Sequence, residues 1–137
     1  MSKSNATETD VLNEFFNAVA LPWNAITDLY VALHTADPGE AGNQTTNEAT
    51  YTSYARVAVA RTGVGWTVSG NTAENAALFQ FPQCTGGTNT ITYVSIGTVA
   101  SPGAGQILYS GALNSPLAVA NLIQPQFAAG DLVTTED

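Results

Sequence analysis

Apolar residues in this chain recur at every second position in short runs, and each run stops at a cluster of glycine, proline, asparagine or aspartate. A period of two sends alternate side chains to opposite faces of a strand, whereas a helix needs a repeat near 3.6. Leu29, Val31 and Leu33 alternate with Tyr30, Ala32 and His34, and Ala55, Val57 and Val59 alternate with Arg56, Ala58 and Ala60. "WTVSGN", "AALFQF", "TITYVSIGTV", "QILYSGAL", "LIQPQFAA" and "DLVTT" continue the series, with Pro125 demoting its own segment to an edge or a bulge. The turns "GGTN", "SPGAG", "NSP" and "AAGD" fall at intervals of 8 to 16 residues, which leaves no room for the helices that join successive parallel strands. The pattern predicts an all-β fold, a jelly-roll-like β-sandwich of about eight strands, with a small closed barrel as the alternative. "TGVG" ahead of "WTVSGN" predicts a hairpin from Tyr54 to about Val68.

One segment has a different period. Leu12, Phe15, Phe16 and Val19 form a single helical stripe, Asp10 stands where a cap is expected, and Pro22 ends the pattern. The stripe predicts an N-terminal helix docked on a sheet or on a neighbouring subunit. Residues 1–9 are polar and aperiodic, so they read as an arm ahead of a single domain over 10–137. At 137 residues the chain can bury one core without a metal or a disulfide.

Charge removes several function classes. Eleven acidic residues against Lys3, Arg56 and Arg61 give a net charge of −8, and phosphate backbones are held by clustered cations, so a nucleic-acid partner is not expected. Neither is a membrane, since no apolar run approaches the roughly 20 residues needed to span one. Cys84 is the only cysteine, and no basic, apolar leader is visible, which leads to the expectation of an unprocessed protein made intracellularly.

Chemistry is hard to assemble from what is left. His34 is the only histidine; a dyad with Cys84 lacks a cation to stabilise the thiolate, because "FPQCTGG" carries none. Asp37, Glu40, Glu48 and Glu74 show no spacing that singles out a catalytic pair, and the first three do not match a calcium loop. No phosphate-cradling glycine motif occurs. We therefore expect no catalytic residue, no cofactor and no metal.

Surface is the remaining resource. Both faces of the Leu29–His34 and Ala55–Arg61 runs are apolar or small, so something must cover the second face. Between those runs lies a long polar segment, and long loops in small domains are usually functional. Gln44 and Asn47 within it, Tyr51 and Tyr54 at its end, Trp23 and Phe15 are the candidate contacts with a partner. Trp66 reads equally well as a core residue.

"LYVALHTADPGEAGNQTTNEATYTSYARVAVART", "GWTVSGNTAENAALFQFP", "TITYVSIGTVASPGAGQILYSGAL" and "AAGDLV" together resemble a family of small virion proteins of tailed bacteriophages, over about Asp10 to Val133. Members are labelled tail-fibre proteins, and some resemble jelly-roll cement or decoration proteins of capsids. The resemblance implies a structural virion protein, foremost a cement protein on the outer capsid surface. Its partners would then be the major capsid protein and further copies of itself, as a dimer or trimer. A tail or tail-fibre position is the alternative, as is a carbohydrate-binding jelly-roll module.

Overall fold

The computed structural model describes residues 1–137. A single helix, α1 (Asn5–Asn17), precedes nine strands: β1 (Asp28–His34), β2 (Val57–Ala60), β3 (Trp66–Ser69), β4 (Thr72–Asn75), β5 (Phe79–Gln80), β6 (Asn89–Gly97), β7 (Ile107–Val119), β8 (Gln126–Phe127) and β9 (Val133–Thr135). They form three antiparallel sheets, ordered β2-β1-β6-β7, β3-β4-β9 and β5-β8. The result is the sandwich-like all-β fold that the period-two runs predict.

Register explains the core. Leu29 faces Val59, Val31 faces both Val57 and Ile96, and Leu33 faces Val94, so one face of the large sheet is a continuous aliphatic surface. Trp66, Phe81 and Leu132 of the two smaller sheets and their flanks close over it. Phe79, Phe81 and Phe127 pack at ring-centroid distances of 5.3 to 6.4 Å, which ties the short β5-β8 pair to the core through aromatic contacts.

The opposite face carries Tyr30, Ala32 and His34 beside Ser95 and Gly97, and it is covered by the chain's own polar loop. Residues 35–56 leave β1 and fold back across the sheet. Thr35 N–H donates to Asn47 O at 2.8 Å and Ala49 N–H to Leu33 O at 2.8 Å, so the loop also extends the sheet beyond the end of β2. Gln44 is fully buried: its Nε2 donates to Tyr30 O at 3.1 Å, and its Oε1 accepts from Val99 N–H at 3.0 Å. Gly97 and Gly105 leave the space it fills, since a Cβ on either would overlap the Gln44 side chain. Glu48 and Arg56 lock the loop's return. Arg56 Nε and Nη2 donate to the two Glu48 carboxylate oxygens at 2.7 Å each, and Nη1 donates to Gly103 O at 2.6 Å and Val99 O at 2.9 Å.

Four local expectations change. The Tyr54–Val68 hairpin does not form, because β2 pairs with β1 while β3 pairs with β4, and Gly70 at φ +60° makes the tight turn of that β3-β4 hairpin. Residues 122–129 shrink to the two-residue β8, in keeping with Pro125. The helix starts at Asn5 rather than Asp10, capped by Ser4, whose Oγ accepts from Thr7 N–H at 3.3 Å. It stops at Asn17, with Ala18 at φ 55°, well short of Pro22. Residues 1–9 are accordingly no free arm: Ser2 bridges to Ser110 on the edge of β7, and residues from Asn5 onward are helix.

The two ion pairs differ in burial. Arg56 has 0% of its side chain exposed and Glu48 14%, against 22% and 47% for Lys3 and Glu136. Glu48→Ala strands the Arg56 charge and should cost about 3–5 kcal/mol in denaturant unfolding. Lys3→Ala should cost less than about 1 kcal/mol. Equal costs would show that the loop is not held by its buried pair.

Candidate functional site

The titratable groups that suggest chemistry are built into the framework. His34 Nδ1 lies 2.8 Å from Thr46 O, so this nitrogen is the donor; Nε2, 2.8 Å from Ser95 Oγ, then accepts in the neutral ring. Burial is the main influence on the ring and lowers its pKa, against the bond to Thr46 and the Glu48 and Asp37 charges, which raise it; Arg56 lowers it further. Cys84 is buried in a different place and donates to Gly86 O at 3.1 Å. The two do not form a dyad. No three His, Cys, Asp or Glu side chains gather as a metal site.

The residues expected at a partner surface divide. Gln44 and Tyr51 turn inward, with 0% and 3% exposure, so these two are held within their own chain and are not presented to a partner. Tyr51 donates to Pro82 O at 2.9 Å, and burial pushes its phenol up to about 12. Tyr54 is half-buried; its hydroxyl donates to Glu48 Oε1 at 3.0 Å and accepts from Leu33 N–H at 3.0 Å, and burial raises its pKa. Asn47 is exposed but binds Asp37 O within the loop at 2.9 Å. Their polarity and position between strands suggested exposure, while the acceptors and donors that draw them inward lie elsewhere in sequence.

Phe15 has a different environment. The helix presents its polar side to the protein body: Ser4 and Thr7 hydroxyls donate to Ile107 O at 2.6 and 2.8 Å, and Gln106 Nε2 donates to Thr7 Oγ1 and Asp10 Oδ2 at 2.9 Å each. Thr7 is the only buried residue of α1. The apolar stripe therefore faces outward, with Phe15 75% and Phe16 79% exposed beside exposed Leu12 and Val19. It does not dock on a sheet of its own chain. A helix normally buries this face, so the inversion leaves an apolar ridge in solvent.

Trp23 lines a pocket of about 550 Å³ between the large sheet and the β3-β4 hairpin, with Leu29, Trp66, Ile96, Leu108 and Arg61 among its walls. The Arg61 guanidinium stands 5.3 Å from the Trp23 ring centre, and its Nη1 donates to Trp23 O and Asn24 O at 3.2 and 2.9 Å. Both indole N–H groups here, of Trp23 and Trp66, are buried without an acceptor. Val64 and Val68, on the adjoining turn and on β3, are 80% and 74% exposed.

A rigid β-sandwich whose ionisable groups brace its own loops, and which displays an apolar ridge and an apolar pocket, has the make-up of a structural assembly module. The chain belongs to the family described as podophage GP4 fiber I protein gp80, whose model matches residues 2–135. It is a structural protein of the bacteriophage virion. No curated protein matches it.

His34 provides a pH test. Its folded pKa lies below the ordinary 6.5, so below about that pH the unfolded chain takes up a proton that the folded chain resists. This contribution is present above 6.5 and is lost as pH falls toward the depressed folded value. Melting temperature should drop between pH 7 and 5, and His34→Gln should flatten that slope; an unchanged slope would place the acid sensitivity in other groups.

Proposed function

We propose that the protein is a structural subunit of the phage fibre that acts by contact, without catalysis, cofactor or metal. The observation that supports contact as its work is the outward ridge of Leu12, Phe15 and Phe16, continued by Val19 just past the helix end, on a helix fixed to the sheet by its polar side. The fibre position rests on the family description. A shell position is the second reading: Lys3 and Arg56 are paired with carboxylates within the chain, leaving a surface of mainly acidic charge that suits the virion exterior. In that case the same block is a cement protein held by the major capsid protein. Sugar binding is less well served at the Trp23 pocket, because its walls are mostly apolar and sugars are read by many polar groups.

Electron cryomicroscopy of purified virions should find the fold in the fibre; its repetition over the capsid lattice would establish the cement position instead. The ridge is tested separately. Phe15→Ala/Phe16→Ala should change stability by no more than about 0.5 kcal/mol per site, as for exposed positions, and yet lower incorporation into particles. Melting lowered by several kcal/mol would mean the rings are buried within the chain.

A further inference from the structure

We propose that the ridge of α1 and the pocket beside Trp23 are the two halves of one self-association contact, in which the ridge of one copy seats in the pocket of a second. The proposal goes beyond the fibre reading, since it concerns purified protein and holds for either position on the virion.

Three observations point to a second copy of this chain as the occupant. The first is shape and polarity. Phe15 and Phe16 present roughly 200 Å² of ring surface each when free, and at 75% and 79% exposure most of it is in water. The pocket is open and largely apolar, and its volume of about 550 Å³ is that of a site able to take such groups. Exposed Val64 and Val68 extend the apolar surface around its mouth.

The second is charge. Lys3 is paired with Glu136 and Arg56 with Glu48, which leaves Arg61 as the only Lys or Arg side chain without a carboxylate partner. It stands in the pocket wall and donates to main-chain oxygens through Nη1 alone. On α1, Glu8 precedes Leu12 by four residues and so lies on the ridge itself, exposed. A ridge with one carboxylate meets a pocket whose one guanidinium has no carboxylate of its own chain beside it.

The third is the aromatic content of the pocket. Trp23 and Trp66 stand in its walls. Tryptophan is among the residues enriched at the centres of protein contacts. The net charge of −8 repels two copies at long range, but salt screens this beyond roughly 8–10 Å, so the local match decides whether they bind.

Sedimentation velocity of the full chain over a wide concentration range tests the contact. The wild type should associate as concentration rises. Phe15→Ser/Phe16→Ser, which removes the ridge, and Val68→Trp, which fills the pocket mouth from an exposed strand position, should each be folded and monomeric. Mixed, they should recover a one-to-one complex, because one intact ridge and one intact pocket remain. Glu8→Arg and Arg61→Glu should each weaken association about tenfold, and combining them in one chain should restore it. A monomeric wild type overturns the proposal, as does association that survives either surface variant or a mixture that stays apart. Circular dichroism of every variant separates lost contact from lost fold; should Arg61→Glu unfold, the Val68→Trp and mixing results decide alone.

Discussion

The large sheet has two faces to bury, and only one of them can be covered by the other sheets. The second depends on a loop of hydrogen-bonding residues lying flat across it, and this arrangement is stable only if each polar group taken from water finds a partner. Gln44 shows the requirement. It is completely buried, binds Tyr30 and Val99, and occupies room that exists because positions 97 and 105 are glycine. The buried Glu48–Arg56 pair does the same at the far end of the loop, where its geometry is bidentate and the remaining guanidinium N–H groups reach main-chain oxygens. Breaking such a pair is far more costly than its net contribution suggests, because one charge stays behind.

This accounts for how much of the fold the sequence makes legible. Period-two runs such as Leu29–His34 report a local property, side-chain alternation, and they mark strands correctly. Pairing is not local. Nothing in Val57–Ala60 or Trp66–Ser69 distinguishes two strands of a hairpin from two strands of different sheets, and the intervening chain from Arg61 to Gly65 crosses between layers. The polar loop is opaque for a related reason. Its residues are those of an exposed segment, and only the positions of Tyr30 O, Val99 N–H and Asn89 Oδ1, which accepts from Tyr51 N–H, turn them inward.

The candidate site was visible in part. Leu12, Phe15, Phe16 and Val19 signal a helix by spacing alone, but the spacing does not say which side faces the protein. That is decided by Ser4, Thr7 and Asp10, which look like tail and cap residues and instead form the attachment to Ile107 O and Gln106. The signal available was their own spacing: Ser4, Thr7 and Asp10 recur every three residues, a polar stripe on the helix opposite the apolar one. Trp23 and Arg61 are separated by most of two strands and a loop, so their stacking at the pocket wall is a product of the fold.

A helix attached by hydroxyls and an amide, with its phenylalanines outward, is the arrangement that the proposed contact requires. Docking through the apolar side would add stability to the isolated chain and leave nothing for a neighbour. Docking through Ser4, Thr7 and Asp10 fixes the direction of the helix while giving up little hydrophobic surface, since hydrogen bonds are directional and contribute only about 1 kcal/mol each on balance. The apolar area stays in water, and in the proposed contact its burial would be worth roughly 25 cal/mol per Å² before the costs of association are counted. The sandwich supplies rigidity, the loop seals the sheet, and the ridge is apolar surface that the chain's own fold leaves uncovered.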